Sequence, residues 1–372
     1  MGDHTDYNGG FCLPMAIDRW CRVTVYPPGR MVPEHTDYNE GFVLPMAIDR
    51  ECTVRVSRAT TAGVRAVSGR VPGEVRVPVD GGAHPGSVEP AWGRFVAGVL
   101  KVLSAGRAVL PPVDLEVSST VPAGSGLSSS SALSVALTLA LGHAAGLEFA
   151  PLDTARIALA AEVAASGVPG GLMDQLASLF GVADHALLID CRTNEITPIE
   201  LSPSIAVVVV HSGLPRTLAG SEYAARRGEC EAVAARLGLA SLRDATAKQV
   251  ADEPRARHVV SENARVLATA DALSFGDLSV LGPLLNASHA SLRDDYGVST
   301  PELDLLVEML VDAGAAGARL TGAGFGGCVV ALVQRNHADD VVAKVTRRYA
   351  DATGLSPDAF VAHAVDGAHQ LR

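Results

Sequence analysis

The sequence predicts an α+β chain of two domains, and three observations lead there. At 372 residues it is too long for one core and suits two domains of roughly 100 to 200 residues each. Runs with strand alternation and runs with helical spacing follow one another without the strict βαβα order of a doubly wound sheet. A short β-branched run at 205–210, just after Pro203, reads as a buried strand at mid-chain and marks a boundary. The expected division is a partly duplicated segment over 1–32, an N-terminal domain over 33–202 and a C-terminal domain over 203–372.

Taken in order, the chain opens on a repeat. Residues 2–19 (GDHTDYNGGFCLPMAIDR) and 33–50 (PEHTDYNEGFVLPMAIDR) agree at 14 of 18 positions with an offset of 31. A third copy would suggest a solenoid; none follows, so this is a local duplication. Residues 52–77 alternate apolar and polar side chains between Gly and Pro turns, as strands do. Helical spacing marks 90–105, 131–147, 152–165 and 172–180, then 217–237, 255–271, 276–290 and 301–315. Residues 318–333 read as strand, glycine turn and strand.

Composition excludes several functions. A net charge of −11 opposes non-specific binding to nucleic acid or anionic membrane, because both need a basic surface. The longest helix-like apolar stretch, 132–147, is polar-interrupted and shorter than the roughly 20 residues of a membrane span. The N-terminus lacks a basic region followed by an apolar one, so no signal peptide is read and a cytoplasmic location is expected. The six cysteines, Cys12, Cys21, Cys52, Cys191, Cys230 and Cys328, form no CxxC pair and read as reduced thiols.

Four strings carry chemistry. VPAGSGLSSSSALS (121–134) runs from a glycine turn into an apolar helix, where unpaired N–H groups and the positive end of the helix dipole favour phosphate. The serines add hydroxyl donors and hard oxygen ligands. It is not a Walker A loop, since no Lys follows the glycines. TGAGFGGC (321–328) lies between strands, and the strand after it rules out a dinucleotide fingerprint. GVPGGLMDQ (167–175) places Asp174 at a helix start, with Glu162 upstream on the preceding helix. Alone, such an Asp is most often a cap; after a tight turn it can face a substrate hydroxyl. In EHTDYN (34–39), an extended backbone would put Glu34 and Thr36 on one face and His35 and Asp37 on the other, and a turn after Tyr38 would converge them on a polyhydroxylated ligand.

Together these strings resemble galactokinase, of the GHMP kinase superfamily: the sugar signature GEHTDYNxGxVLPxAI at 34–48, the phosphate loop PxGxGLSSSA at 122–132, GxxMDQ at 171–175 and TGAGFGGC at 321–328. The resemblance covers residue 33 to the C-terminus. It implies the superfamily's two-domain α+β architecture with the active site in the interdomain cleft. It also implies transfer of the γ-phosphoryl group of ATP, with Mg2+, to the C1 hydroxyl of a galactose-like sugar by a monomer that binds neither nucleic acid nor membrane. By this resemblance Asp174 and Arg30 match catalytic residues, and Ser130 and Glu162 match Mg2+ ligands. Trp92 matches a residue near adenine, and Gly124, Ser125, Gly126, Ser128 and Ser129 match the phosphate cradle. Glu34, His35, Asp37, Gly171 and Tyr223 match positions that contact the sugar.

The chain departs from the family at PGRMVPEHTDYN, where Arg30 precedes Glu34 by four residues and the family's arginine stands six before its Glu. Two residues of extended chain span roughly 7 Å. Copy two is expected to fill the sugar site, with residues 1–25 an appended segment. Two other readings stand beside this one: a kinase for another sugar, such as N-acetylgalactosamine or arabinose, and a catalytically silent sensor of galactose and ATP.

Overall fold

The computed structural model describes residues 21–371 except 33–34, 60, 107, 123–124 and 215–218, and the side chains of all of these but 30, 32, 219–221, 370 and 371. The first half runs β1 (Cys21–Val25), β2 (Pro28–Val32), β3 (Phe42–Ala47), β4 (Cys52–Arg58), β5 (Val64–Ser68), β6 (Glu74–Val77), α1 (Gly93–Ala105), β7 (Val113–Ser119), α2 (Ser129–Ala144), α3 (Pro151–Ser166), α4 (Met173–Phe180), β8 (His185–Asp190) and β9 (Glu195–Glu200). The second half runs β10 (Ile205–His211), α5 (Ala219–Arg236), α6 (Pro254–Leu273), α7 (Leu278–Ser291), α8 (Pro301–Asp312), β11 (Gly317–Thr321), β12 (Cys328–Gln334), α9 (Ala338–Thr353), β13 (Asp358–Ala362) and β14 (His369–Leu371).

Three sheets organise these elements: β14-β1-β4-β7-β5-β6, β11-β12-β10-β13 and β2-β3-β8-β9. One face of the six-stranded sheet carries α2, which packs on β1 and β4 and against α1 and α3. α2 is apolar on nearly all sides, with Val135, Ala136, Leu137 and Ala140 fully buried, as a helix inside a core must be. Its start is therefore held rigidly. α3 begins with Pro151 and ends on Gly167 in the left-handed region, the favoured residues at those two ends.

β10 is buried on both faces. Ala206, Val208 and Val210 enter one core with Leu320, Val329 and Ala331, while Ile205, Val207 and Val209 enter another with Val330 and Leu332. Two buried faces explain its unbroken apolar run. The second core also takes Met31, Leu44 and Met46, so the strands flanking EHTDYN are packed directly onto the C-terminal sheet. Val43, on the other face of β3, packs with Met173 and Leu176 of α4. β3 thus ties the sugar signature to both the Asp174 helix and the second half.

Two expectations need correction. Residues 21–25 are not appended: β1 lies between β14 and β4, with Val23 and Val25 fully buried. It pairs with β4 antiparallel, Cys21 opposite Val56 and Val25 opposite Cys52. Because the repeat offset is 31, these are the equivalent strands of the two copies, related by a local two-fold at Val23 and Val54. The alternating apolar pattern that serves β4 serves β1 equally, which is why the duplicated stretch could enter the core. The HTDYN of copy one lies outside the described residues. Second, EHTDYN is not extended, because Asp37–Asn39 forms a 3-10 turn and His35 has φ of +66°. Strand alternation therefore does not set which of its side chains share a face. The short spacing after Arg30 meets a bulge, Arg30 facing Pro45 and Val32 facing Leu44 with Met31 extra.

Candidate active site

An open cavity of about 280 Å3 is lined by the start of α2, the inner side of α3, the turn before α4, the EHTDYN turn, Tyr223 of α5 and Ala323 of the β11–β12 loop. Sequence-remote strings thus meet at one point. Ser128 caps α2 in the left-handed region, and Ser129, Ser130 and Ser131 occupy its first turn, all facing the cavity with Gly126. A helix start carries N–H groups without intrahelical partners and roughly half a positive charge from the dipole, and this one opens on the cavity. They supply local attraction for anions that the net charge of −11 does not. α4 also directs its N-terminal end at the cavity, with Asp174 in its first turn.

Glu162 reaches across from α3. Its Oε2 accepts hydrogen bonds from Ser131 Oγ at 2.8 Å and from Gln175 Nε2 at 2.7 Å. Gln175 is buried, so this link locks the carboxylate between the phosphate-loop helix and the Asp174 helix. Ser130 and Glu162 offer a hydroxyl and a carboxylate to the same space, hard oxygen donors of the kind Mg2+ takes alongside phosphate and water. Ser131 and Gln175 are absent from the expected site residues. The signal for Gln175 was present, since it follows Asp174 in the same string.

Asp37 and Gly171 touch. A Cβ built on Gly171 would lie 2.1 Å from Asp37 Oδ2, so glycine is what allows the two segments to close. Tyr223 also faces the cavity, its ring 5.3 Å from Tyr38 and 5.4 Å from His35.

Other expected residues stand elsewhere. His35 is buried outside the cavity lining, its Nδ1 2.9 Å from Tyr38 Oη and its ring 4.5 Å from that of Tyr296. The positive φ at His35 swings it under the turn. Ser125 is buried as well; its hydroxyl donates to the Pro122 carbonyl at 2.8 Å and accepts from Leu127 N–H, shaping the loop. Trp92 precedes α1 and packs against the core of the six-stranded sheet, away from this cavity. The backbone of Arg30 lies in β2, and its side chain is outside the described residues, as are Glu34 and Gly124. The TGAGFGGC loop joins β11 to β12 as a hairpin, with Gly322, Gly324, Phe325, Gly326 and Gly327 all at positive φ.

Behind the EHTDYN turn, Tyr38 Oη lies 2.6 Å from Tyr296 Oη, which lies 3.3 Å from Cys230 Sγ. Burial pushes both phenols well above their ordinary pKa, so they stay neutral. Among the described residues no helix is long and apolar enough to cross a membrane.

Comparison with known proteins decides the family. The profile for the GHMP kinases N terminal domain matches residues 94–182, that for GHMP kinases C terminal matches 268–351, and the galactokinase galactose-binding signature matches twice, at 1–27 and 28–58. A galactokinase of Roseiflexus sp. is 43% identical over 99% of this chain and 89% of its own length. This chain belongs to the galactokinase family. A second galactokinase, of Mycobacterium tuberculosis, is 41% identical over 100% of this chain and 96% of its own. Among solved structures, Lactococcus lactis galactokinase complexed with galactose superposes with a TM-score of 0.88 at 30% identity, covering 95% of each chain. A mevalonate kinase superposes with a TM-score of 0.69 at 17% identity, over 93% of this chain and 99% of its own, and shares the fold. The double match of the galactokinase signature follows the repeat, and the structure describes the second copy as β2, the turn and β3.

Proposed function

We propose that this galactokinase-family chain transfers the γ-phosphoryl group of ATP to the C1 hydroxyl of galactose, with Asp174 as the general base. One observation carries the reading: Asp174, Asp37, Gly171 and Tyr223 line the same cavity as the serine-rich start of α2. Sugar-contacting and phosphate-contacting groups are then within one substrate length of each other.

In this reading Asp37, Gly171 and Tyr223 bind the sugar, and His35 acts through Tyr38 and Tyr223 as part of the wall behind it. Gly124, Gly126, Ser128, Ser129 and the first N–H groups of α2 hold the ATP phosphates, with Ser125 shaping the loop and Trp92 near the base. Asp174 takes the proton from the C1 hydroxyl as that oxygen attacks the γ-phosphorus. The bond to the bridging oxygen breaks and ADP leaves. Ser130 and Glu162 would hold Mg2+, which when bound neutralises charge on the transferring phosphoryl group. Ser131 and Gln175 fix the Glu162 carboxylate for that task. Little covalent work falls to the protein, so position and electrostatics supply most of the acceleration. We assign the sugar site to copy two, with Glu34 as a further sugar contact and Arg30 as a further catalytic residue on the family resemblance.

ADP release tests this. With galactose and ATP, Asp174→Asn is expected to lower kcat by about 10² to 10⁴-fold, roughly 3 to 5 kcal/mol of barrier, without loss of folding. A folded variant with near-normal kcat would make Asp174 a helix-end residue and refute the mechanism. A panel with N-acetylgalactosamine and arabinose tests the sugar, and no turnover with any of them would favour a silent sensor.

A further inference from the structure

The EHTDYN turn is closed by its own backbone and held from outside. Internally, the Thr36 carbonyl accepts from Asn39 N–H at 3.1 Å and Gly41 N–H at 2.9 Å, and the Asn39 side chain donates to the His35 carbonyl at 2.8 Å. Outside, a segment from the second half grips it. Ser241 Oγ donates to the Asn39 carbonyl at 2.5 Å, and Arg243 Nη1 donates to the Glu40 carbonyl at 2.9 Å. Asn263 Oδ1 accepts from Phe42 N–H at 2.9 Å, and a Cβ on Gly41 would strike that oxygen at 2.3 Å.

Arg243 is itself held. Both its terminal nitrogens donate to the Asp190 carboxylate at the end of β8, and its guanidinium lies 4.2 Å over the Phe42 ring. Hydrogen bonding to Arg243 keeps the Asp190 carboxyl below the usual range. A reciprocal pair runs the other way, Arg192 donating to Asp244 at 2.7 and 3.0 Å and to the Glu40 carboxylate at 2.8 Å. Arg243 and Asp190 are each only 19% exposed, so this bidentate pair is screened far less than a surface pair.

We infer that residues 241–243 form a latch on the sugar turn, in which Ser241 and Arg243 are positioning residues that set sugar affinity through the backbone of Asn39 and Glu40. The inference rests on the reading that this turn carries Asp37 to the sugar. Neither latch residue lines the cavity. Each acts on carbonyls two and three residues beyond Asp37, so releasing them frees the turn that aims its carboxylate. The ATP-facing groups sit on α2 and α3, away from this contact.

The test is galactose binding by titration calorimetry and steady-state KM for both substrates in Ser241→Ala, Arg243→Ala, Arg243→Lys and Asp37→Ala. Arg243→Ala should weaken galactose about tenfold or more and Ser241→Ala about threefold, with KM for ATP within about twofold of wild type. Arg243→Lys should recover part of the loss, since an ammonium still reaches the Glu40 carbonyl but cannot make the bidentate pair. Asp37→Ala separates the two readings. If it loses galactose while Ser241→Ala and Arg243→Ala keep wild-type affinity, the latch is wrong and the site stands. If Asp37→Ala binds galactose normally, the reading of the turn fails. Equal weakening of ATP and galactose in the latch variants would mean general destabilisation and overturn the inference. Should Arg243→Ala not fold, Ser241→Ala, which removes one hydroxyl, decides the question.

Discussion

Gly171→Ala is the sharpest test of the site's geometry. The new Cβ would stand 2.1 Å from Asp37 Oδ2, 2.7 Å from its Cγ and 3.0 Å from its Cβ. Ordinary van der Waals contact begins at 3.4 Å, so one side must retreat by about 1 Å or more, a displacement that can cost about 10²-fold in rate. Two retreats exist. Asp37 can rotate away, which takes its carboxylate from the sugar and raises KM; or the 169–171 turn can shift, which carries Asp174 with it and lowers kcat. Either way kcat/KM should fall about 30- to 100-fold, roughly 2 to 3 kcal/mol on the barrier scale. Gly171 does not have positive φ, so alanine brings no backbone strain and the melting temperature should stay within about 3 °C. The assay is ADP release with galactose titrated at saturating ATP, beside a thermal melt. In an Asp37→Ala background the Oδ2 and Cγ clashes are gone and only the 3.0 Å contact with the residue's Cβ remains, so Gly171→Ala should cost far less there than in wild type. A folded Gly171→Ala enzyme within about threefold of wild-type kcat/KM would refute the packing of Asp37 on this turn.

Glu162→Gln and Ser130→Ala should each raise the Mg2+ concentration needed for half-maximal ADP release by about tenfold or more, because a hard oxygen ligand is lost or weakened; unchanged metal titrations in both would remove them from the metal shell. Deleting residues 2–19 should leave galactose binding within about threefold, whereas deleting 2–25 removes β1 with its buried Cys21, Val23 and Val25, costing about 5 kcal/mol or more and most of the folded yield. Soluble, active protein from the longer deletion would show that β1 is dispensable. His289 accepts from Leu320 N–H at Nδ1 and faces Asp304 from Nε2 at 3.0 Å. Burial, aided by Arg319 and Arg293 against the opposing Asp304, brings its pKa down to about 4. The neutral ring is the folded form, so its contribution is complete above pH 6.5 and fades as pH falls toward 4, by about 3 kcal/mol in total. Urea unfolding of wild type and His289→Gln from pH 7 to 4.5 should therefore converge as pH falls; a constant difference would refute the assignment.

Short-range pattern determined a good deal here. The phosphate loop, the GxxMDQ turn and the glycine hairpin are contiguous strings whose chemistry depends on neighbours within one turn, so they were legible along with α1 to α8 and the strand at β10. The α+β class followed from them. Other elements needed the tertiary structure. β1 reads as the tail of a repeat, and pairing with its own duplicate β4 and with β14, under α2, makes it a core strand. The β8–β9 hairpin presents Glu195, Thr197 and Glu200 outward on an edge strand, so its pattern is too polar to announce itself. Short range likewise misjudged EHTDYN, because a 3-10 turn held from 241–263 overrides the alternation of an extended segment. His35 and Asp37 were therefore separated, one buried among tyrosines and the other in the cavity. Ser131 and Gln175 acquire their role only because Glu162, on a different helix, comes within hydrogen-bond distance of both. Local sequence decides which groups can do chemistry; which of them face one another is decided by packing between separate elements of the chain, where no local periodicity carries the information.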